Sequence, residues 1–409
     1  MTAPTAGVVR QRRCCASVSM TSMSVTWRYI DCGAVDAFEN SAQLPVLVRS
    51  VAETSRPMLM TSVWGATHLN VGWFDDVDAT LDLQRCREVG VQVVRRPVYG
   101  GGTAFYDSGC TAMWTFLIPD AGHDDLDAEL ARFQPVVLGA LERVGMSEVR
   151  FEGSSDLRWH GRKLGALSAQ NVVVCTSIGG FLNLRHPDLD LYLSVVRVPD
   201  EKFKDKSVKT MREYVASADD VRGAPLGYEQ FRDALREAVI ASGICLSEEP
   251  MSEGERRGVA KIAARVADDG YVRRISSDRF RDAAPAGASV GFGNHKSRKL
   301  CRAGLAVDSG GVVVAAMIAG DMHVSPPDVI DRVAAALTGA RIADAAELRS
   351  RIASVFDGDD VRQADEAMGV TTDDLLAAVL KAADEARLSS SAAGDVAGDD
   401  GTVPGGALG

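Results

Sequence analysis

The 409-residue chain lacks the cysteine and histidine spacings that bind zinc. Its eight cysteines are scattered without a CxxC pair, and none of its six histidines has a partner at metal-ligand spacing. This pattern argues against a zinc site. It is typical of reduced, mostly buried thiols in a cytosolic protein, so we predict a cytoplasmic location.

Long apolar runs and an excess of basic residues are also missing. No run of ~18 apolar residues is present, so we expect no membrane-spanning segment and no membrane partner. The 45 basic residues are outnumbered by 56 acidic ones, and the formal net charge is -11. A broad nucleic-acid-binding surface requires a basic face, so nucleic acid is not an expected partner.

Composition divides the chain into two ordered parts with low-complexity ends. Residues 1–25 are rich in serine and threonine and lack the apolar core of a secretory signal, so we predict a disordered leader. Residues 388–409 are predicted to be a disordered tail. An Ala/Gly/Pro-rich segment, 282–293, is predicted to link a larger domain over 26–281 to a smaller one over 294–387.

Residue periodicity predicts an α/β (α+β) fold. In the first domain, alternating strand patterns and amphipathic helices indicate a mixed β-sheet with helices packed against it. The helical patterns include 37–52, 77–90 and the long stretch DDLDAELARFQPVVLGALERVG. In the second domain, two strand patterns are joined by SGG, a hairpin signal. A helix with Ser325 as its N-cap and further short helices ending near Arg387 are predicted to follow.

One stretch places two arginines just before three glycines. Arg95 and Arg96 are followed by Gly100, Gly101 and Gly102. Glycines let backbone N–H groups approach a ligand and form anion-binding concavities, and a guanidinium grips a carboxylate or phosphate with two prongs. The combination suits a carboxylate joined to a phosphate, as in an acyl adenylate. A tight turn beside a surface arginine pair fits the same residues, and the stretch is neither GxGxxG nor a P-loop.

A second stretch, HGRKLGALSAQ, places Lys163 between a turn glycine and small residues. An ammonium group that points into a site left open by small residues would stabilise the charge that develops in acyl transfer. The same stretch also fits an ordinary lysine at the edge of a strand, so the residues alone leave both interpretations open.

In order and separation, RRPVYGGGTAFYDSGC and GRKLGALSAQ resemble the two motifs of the lipoate–protein ligase family. That family, in the biotin/lipoate ligase and lipoyl/octanoyl transferase superfamily, typically carries RRxSGGGAVFHDxGN and GRKISGSAQ. The segments ENSA, HLNVGWF and GGFLNLRHPDLDLYLSVVRVPDEK are similar to further family elements. HKSRKLCRAGLAVDSGGVVVAAMIAGD resembles the accessory domain of these ligases, so the resemblance covers about residues 26–385.

The resemblance implies an ATP-dependent enzyme that converts lipoate, or a related acyl acid, to acyl-AMP and transfers the acyl group to a lysine. The implied cofactors are ATP, Mg²⁺ and lipoate, without a dedicated protein metal site. The implied partners are lipoyl-type acceptor domains, in 2-oxoacid dehydrogenase acyltransferase subunits and the glycine cleavage H protein.

The resemblance also implies roles for individual residues. Lys163 would be catalytic, bridging the acyl carbonyl and the α-phosphate. Gly320 and Asp321 of the accessory domain would act on the adenylating conformation. Candidates for the wall of an acyl tunnel are Val98, Phe105 and Val174. The residues implied to bind substrate or adenylate are Arg95, Arg96, Gly100, Gly101, Gly102, Thr103, Asp156, Ser168 and Ala169.

The chain departs from the family pattern at several positions. Tyr99 replaces a serine or threonine, Tyr106 a histidine, Cys110 an asparagine and Gly179 the histidine of an HG pair. These changes leave the identity of the acyl acid open.

Two other functions remain as alternatives. One is a carrier-dependent octanoyl or lipoyl transferase, which uses a cysteine nucleophile. The positions matching that cysteine do not supply one, because one reads Arg150 and Cys175 lies in a run typical of a buried strand. The other alternative is a catalytically silent homologue that binds an acyl-adenylate or the acceptor.

Overall fold

A computed structural model describes the chain in six segments. These are residues 25–97, 102–119, 125–172, 175–197, 213–363 and 369–396, with side chains described through residue 389. The predicted leader therefore lies almost entirely outside the described residues.

Sixteen strands are found in the described residues. They are β1 (Trp27–Val35), β2 (Met58–Trp64), β3 (His68–Val71), β4 (Gln92–Arg95), β5 (Ala104–Tyr106), β6 (Thr111–Pro119), β7 (Arg150–Glu152), β8 (Asp156–Trp159), β9 (Arg162–Val172), β10 (Cys175–Asn183), β11 (Leu246–Glu248), β12 (Ser289–Lys296), β13 (Leu300–Val307), β14 (Val313–Gly320), β15 (Val324–Ser325) and β16 (Arg362–Gln363).

Thirteen helices are found in the described residues. They are α1 (Ala37–Thr54), α2 (Val77–Thr80), α3 (Leu83–Glu88), α4 (Leu126–Arg143), α5 (Leu189–Val195), α6 (Ala218–Arg222), α7 (Tyr228–Ala241), α8 (Glu253–Val266), α9 (Asp269–Val272), α10 (Ser277–Asp282), α11 (Val329–Leu337), α12 (Ala345–Phe356) and α13 (Thr372–Val396).

The main sheet has eight strands in the order β11-β1-β2-β6-β10-β9-β8-β7. The β1 strand pairs in parallel with β2 and β11, whereas the pairs from β2 to β7 are antiparallel. A separate sheet, β4-β3-β5, lies near the arginine–glycine stretch. The predicted mixed α/β fold is therefore confirmed.

The two faces of the main sheet carry different side chains because strand residues alternate between faces. On β6, Trp114 and Phe116 are buried in the large core together with Phe133 of α4 and Phe231 of α7. The alternate residues, Met113 and Thr115, lie on the opposite face, which α1 covers. Asp36 caps α1 by accepting hydrogen bonds from the first amides of the helix.

The C-terminal part is an antiparallel sheet, β12-β13-β14, packed against α13. The helix comes very close to the strand at two glycines. A Cβ at Gly293 would lie 2.1 Å from the carbonyl oxygen of Ala378, and one at Gly291 would lie 2.2 Å from that of Ala382. Such distances exclude any side chain at these two positions, so the glycines permit the packing of α13.

The two parts meet through the segment 72–76, which follows β3. The Phe74 side chain is fully buried in the core of the C-terminal part, and its carbonyl accepts a hydrogen bond of 2.8 Å from the Gly320 amide. The Trp73 indole N–H donates to the Pro327 carbonyl at 3.4 Å. The segment that follows β3 is thus packed against the C-terminal part of the chain.

Several sequence predictions are corrected by the structure. The segment 282–293, predicted as a linker, includes the end of α10 and the start of β12. Ser325 lies in β15 and not at a helix cap, since α11 follows Asp328. The helix predicted over 77–90 is two helices, because the Asp82 side chain accepts from the Arg85 amide and starts a new one.

The end of the chain also differs from the prediction. The α13 helix has 25 residues and continues through Val396, into the segment predicted as a disordered tail. The division into a catalytic and an accessory domain remains a proposal. No helix in the described part of the chain is long and apolar enough to cross a membrane.

Candidate functional site

A cavity of about 560 Å³, the large cavity, lies between α1 and the main sheet. Leu44 and Pro45 of α1 form part of its roof. Its floor consists of two rows of residues that strand pairing places side by side. These rows are Ser62, Met113, Phe181 and Ala166, and Met60, Thr115, Gly179 and Ser168. The predominantly small and apolar floor suits an apolar ligand.

One end of the large cavity carries polar groups from the β4-β3-β5 sheet. Arg96 donates from Nη2 to the Gly102 carbonyl. Its Nε is buried without a hydrogen-bond partner among the described residues, and so is Oδ1 of Asn70. Burial lowers the pKa of Arg96, although Tyr106 and Asp75 act in the opposite direction. Because unpaired buried polar atoms are costly, these two atoms indicate where a polar ligand group would be bound.

Arg95 has a different role from the one its sequence position predicts. Its side chain is fully buried, and burial lowers its pKa to about 10. All three guanidinium nitrogens donate to main-chain carbonyls. The acceptors are Gly72 at 2.7 Å, Trp73 at 3.0 Å, Asp75 at 2.9 Å, Val272 at 2.9 Å and Ile275 at 3.3 Å. This geometry does not support ligand binding by Arg95, because its donors fix the 72–75 segment.

Of the three glycines, only Gly102 lies within the described residues; Gly100 and Gly101 fall outside them, as do Val98 and Val174. A Cβ at Gly102 would lie 3.5 Å from the Asp321 Cβ. The structure thus places the predicted accessory residue Asp321 beside the end of the glycine stretch. Thr103 donates from its hydroxyl to the Asp75 carboxylate at 2.8 Å, so its described contact is internal.

Lys163 lines a second cavity of about 190 Å³, the small cavity. Tyr106 and Phe181 line both cavities and therefore lie where the two are adjacent. The Lys163 ammonium lies 2.8 Å from Oδ1 of Asp156. The main chain of Lys163 is also fixed, since its carbonyl accepts from the Ala216 amide at 2.8 Å.

Asp156 acts as the counter-ion of Lys163 and Arg158. Arg158 Nη2 lies 2.9 Å from Oδ2 of Asp156. Burial alone would raise the pKa of Asp156, but hydrogen bonds and positive charge from Lys163 and Arg158 outweigh it and lower the pKa. The carboxylate therefore stays ionised and holds the lysine ammonium in place.

Two of the predicted pocket residues lie on opposite faces of β9. Ser168 lines the large cavity and donates to the Gly179 carbonyl at 3.3 Å. Ala169 packs against the large core on the other face. The side chain of Ala169 thus lies on the face of the sheet opposite the large cavity, because neighbouring strand residues face opposite ways. Phe105 lines the small cavity and contacts Tyr192, with ring centroids 5.3 Å apart.

A buried aromatic stack supports Tyr106 at the boundary of the two cavities. The His68 ring stacks on Tyr106 with centroids 5.2 Å apart and contacts Trp64 at 4.2 Å. His68 is fully buried, and this burial lowers its pKa to about 4. The neutral imidazole thus acts as a packing partner for the tyrosine.

The sequence patterns did not indicate a histidine–carboxylate pair whose histidine lines the small cavity. His186, which lines this cavity, has Nε2 2.8 Å from Oδ2 of Asp220. The two residues are separated by 34 positions and belong to different elements. The only local signal was the capping box of Ser217 and Asp220 at the start of α6, which indicates a helix start and not a site.

No cysteine lines either cavity in the described part of the chain. Cys110 is buried, and Arg185 donates from Nε to its sulfur at 3.3 Å. Burial raises the pKa of Cys110 even though Arg185 acts in the opposite direction. Burial likewise raises the pKa of Cys175. Neither thiol has the low pKa and exposure expected of a nucleophile.

The fold and the two adjacent cavities define an α/β protein with a largely apolar cavity that ends at a buried guanidinium nitrogen. Residues 36–240, about half of the chain, match the family described as the lipoyl protein ligase A/B catalytic domain. The chain belongs to the lipoyl protein ligase A/B family.

Two relatives have different activities in their names. Lipoate-protein ligase A subunit 1 of Thermoplasma acidophilum is 26% identical over 175 residues, covering 40% of this chain and 64% of that protein. Octanoyltransferase LipM of Kyrpidia tusciae is 24% identical over 281 residues, covering 61% of this chain and 99% of that protein. The chain thus spans less than two thirds of the Thermoplasma protein and nearly all of LipM.

Solved structures support the fold. The bipartite lipoate protein ligase of Thermoplasma acidophilum, described with its E2 lipoyl domain, covers 61% of this chain and 97% of its own, with a TM-score of 0.53 and 19% identity. P. falciparum LipL1 in complex with lipoate covers 87% of this chain and 99% of its own, with a TM-score of 0.60 and 12% identity. A lipoate-protein ligase A bound with ATP covers 61% of this chain and 99% of its own, with a TM-score of 0.50 and 16% identity.

Proposed function

We propose that the protein is an ATP-dependent lipoate–protein ligase. It activates lipoate, or a related acyl acid, as acyl-AMP and transfers the acyl group to a lysine of a lipoyl-type acceptor domain. The observation that carries this proposal is the position of the large cavity. It ends at the buried Nε of Arg96, which has no hydrogen-bond partner among the described residues, and it adjoins the small cavity that contains Lys163.

The acyl body would occupy the large cavity. The volume of about 560 Å³ falls within the range of ~300–1,000 Å³ that small-molecule sites have. Met60, Met113 and Leu44 supply apolar contact, and Gly179 leaves the centre of the floor without a side chain. This shape accommodates an acyl chain with a ring or another bulky end.

The acid head group would lie at Arg96. Its guanidinium Nε is a free donor among the described residues, at the end of the cavity closest to Gly102. The donor set suits a carboxylate or the phosphate of an acyl-AMP. Arg95 would contribute by holding the 72–75 segment against the end of β4.

Lys163 would stabilise the negative charge that develops during acyl activation and transfer. Its ammonium is fixed by Asp156 and faces the small cavity, which has room for part of a nucleotide. A fixed cation needs little reorganisation when charge develops, which is the basis of electrostatic catalysis. Lys163 and Arg96 thus supply positive charge on both sides of Tyr106.

The described residues contain no group of three or more histidine, cysteine or acidic side chains placed to hold a metal ion. An Mg²⁺ ion would therefore arrive with ATP, bound mainly by phosphate oxygens and water, as Mg²⁺ often is. Its contribution when bound would be to offset phosphate charge.

The named ligands of similar structures support the substrates and partners in this proposal. Those structures are described with lipoate, with ATP and with an E2 lipoyl domain. By extension, the acceptors proposed here are lipoyl domains of 2-oxoacid dehydrogenase acyltransferase subunits and the glycine cleavage H protein.

Similarity to LipM favours one alternative, a carrier-dependent octanoyl or lipoyl transferase. That reaction proceeds through a cysteine thioester, and among the described residues no cysteine lines either cavity. The contact pattern of the described cysteines therefore supports the ligase over this alternative. A silent homologue would bind acyl-AMP without turnover.

The test is pyrophosphate release by the purified protein with Mg-ATP and lipoate, octanoate or no acid. We expect acid-dependent release that falls at least about 100-fold in Lys163→Ala, since a fixed charge-stabilising group contributes on that scale. Lys261→Ala is the matched control, because Lys261 is an exposed lysine on α8. Acyl transfer from an octanoylated carrier protein without ATP, blocked by iodoacetamide, would instead establish the transferase.

A further inference from the structure

In the proposed acyl transfer, the attacking amine of the acceptor lysine must give up a proton, and the residues assigned so far supply no group to accept it. A lysine ammonium has a pKa of ~10.4 and must become a neutral amine before it attacks. When the amine adds to the acyl carbonyl, its nitrogen becomes positively charged and must release a second proton. Lys163 and Arg96 are cations and cannot serve as the base.

The His186–Asp220 pair has the geometry of an oriented base. Nε2 of His186 lies 2.8 Å from Oδ2 of Asp220, and the His186 side chain is 37% exposed in the small cavity that also contains Lys163. Asp220 is itself held in place by Arg162 Nη2 at 2.8 Å and by the Ser217 amide at 3.1 Å. A base oriented by a fixed carboxylate is the arrangement found in catalytic triads.

The Asp220 contact assigns the tautomer of His186. A carboxylate accepts a hydrogen bond, so Nε2 carries the proton and Nδ1 keeps the lone pair. Burial alone would raise the pKa of Asp220, but hydrogen bonds from His186 and the Ser217 amide and the charge of Arg162 outweigh it and lower the pKa. Asp220 therefore remains ionised and stabilises a protonated imidazole.

Two other acidic groups of the described residues near His186, Asp107 and Asp156, already accept hydrogen bonds or form ion pairs. Asp107 accepts from the Thr67 hydroxyl, from the Ser108 amide at 2.8 Å and from the Asp188 amide at 3.2 Å. Asp156 holds Lys163 and Arg158, as described above. Arg185, the residue before His186, donates to the Ser108 carbonyl at 2.7 Å and to Cys110.

Within the described segments, the positive groups around His186 are Lys163, Arg162 and Arg185. Each is balanced or engaged: Lys163 by Asp156, Arg162 by Asp220 and Arg185 by the Ser108 carbonyl. Among the described residues that line the small cavity, His186 therefore has the geometry of a proton acceptor, with one ring nitrogen on a carboxylate and the other carrying a lone pair.

We propose that His186, oriented by Asp220, is the proton acceptor for the acceptor lysine during acyl transfer; this rests on the proposed function. The ammonium first loses one proton to solvent. As the neutral amine forms the C–N bond, its second proton moves to Nδ1 of His186. The C–O bond to the phosphate breaks, AMP leaves with the electron pair, and the imidazolium later returns its proton to solvent.

The experiment separates the two half-reactions. Chemically prepared lipoyl-AMP is mixed with enzyme and a purified lipoyl domain of a pyruvate dehydrogenase acyltransferase subunit, and single-turnover transfer is measured from about pH 5.5 to about 9, across the range where histidine titrates. Pyrophosphate release from Mg-ATP and lipoate is measured separately. The variants are His186→Gln and Asp220→Asn, with His160→Gln as control because His160 pairs with Glu148 on the surface and is 69% exposed.

We expect His186→Gln to slow transfer by ~100-fold or more, the usual contribution of general base catalysis. The fall in rate at low pH should become shallower, because only protonation of the acceptor lysine then contributes to it. Pyrophosphate release should change less than about threefold, because that step needs no base at the amine. Asp220→Asn should slow transfer to a smaller extent. Melting curves confirm that each variant is folded, and His186→Asn replaces the glutamine variant if that one unfolds.

Two results would overturn the proposal. One is transfer by folded His186→Gln at the wild-type rate with the wild-type pH profile. The other is an equal loss of transfer and pyrophosphate release, which would assign His186 to ligand binding. If the wild type transfers from lipoyl-AMP but releases no pyrophosphate, the adenylating activity is refuted while the role of His186 stands. If the wild type cannot transfer from lipoyl-AMP, the ligase function and the role of His186 are both refuted.

Discussion

Two consecutive arginines with the same side chain have separate roles because strand alternation sends them to different surroundings. Arg95 donates to the Gly72 and Val272 carbonyls, whereas Arg96 reaches the end of the large cavity. The sequence identified the pair but could not distinguish the two, since the carbonyls that Arg95 holds include those of Val272 and Ile275, far along the chain.

Substitution of each arginine should therefore have a different effect, on stability for Arg95 and on activity for Arg96. Arg95→Gln is expected to lower the free energy of unfolding by about 3 kcal/mol or more, because it leaves several buried carbonyls unpaired. Arg96→Gln should change stability by less than about 1 kcal/mol, since one of its two described donors already lacks a partner. Acid-dependent pyrophosphate release should nevertheless be lost in Arg96→Gln. Urea unfolding and the release assay check both expectations; loss of activity in Arg95→Gln without loss of stability would contradict them.

His68 should make stability depend on pH. Its pKa is about 4 in the folded state, below the ordinary value of 6.5, because burial disfavours the charged imidazole. The neutral form is favoured on folding, so this contribution is fully present above about pH 6.5 and is lost as the pH falls towards about 4. The shift corresponds to at most about 3 kcal/mol.

A His68→Phe variant removes this titration while retaining an aromatic ring between Trp64 and Tyr106. Between about pH 6.5 and about 4, the free energy of unfolding should fall more steeply for the wild type than for the variant. Chemical denaturation at several pH values measures the difference. Parallel curves for the two proteins would show that His68 does not titrate in this range.

At the scale of elements, β10 places two glycines on opposite faces of the main sheet. A Cβ at Gly179 would meet the Thr115 hydroxyl at 3.7 Å, an ordinary contact on the cavity floor. A Cβ at Gly180 would lie 2.3 Å from the Trp114 ring in the core. One glycine therefore leaves space for a ligand, and the next leaves space for a side chain.

We expect Gly179→Leu to fold and to weaken binding of the acyl acid, because the new side chain enters the large cavity. The KM for lipoate should rise at least about tenfold, with less change for a shorter acid, consistent with the cost of overfilling a packed site. Gly180→Ala is the matched comparison and should destabilise the fold by about 1–3 kcal/mol. Unchanged kinetics in Gly179→Leu would contradict placement of the acyl group in this cavity.

Local sequence patterns predicted most helices and strands but not the tertiary contacts between them. Apolar spacing located α1 and α4, and alternating strand patterns indicated the mixed sheet. The prediction failed where tertiary contact decides the structure: β12 begins inside the Ala/Gly/Pro-rich segment because Gly291 and Gly293 admit α13. The face of Ala169 and the pairing of His186 with Asp220 likewise depend on strand register and long-range contact.

At the scale of the whole molecule, the two parts of the chain meet beside the candidate site. Phe74 is buried in the C-terminal core, and Asp321 lies against Gly102, next to the carbonyl that Arg96 holds. The 72–75 segment fixed by Arg95 connects these contacts. The arrangement explains how a C-terminal accessory part, as proposed here, would influence the end of the large cavity where the acid head group is expected.

The activity proposed for this protein is ATP-dependent acylation of an acceptor lysine. The most direct measurement is the intact mass of a purified lipoyl domain after incubation with the enzyme, Mg-ATP and lipoate. The proposal predicts one added lipoyl group, absent without ATP, with Lys163→Ala and with an acceptor whose target lysine is replaced by arginine. An unmodified acceptor after incubation with folded wild-type enzyme, or modification that needs no ATP, would contradict it.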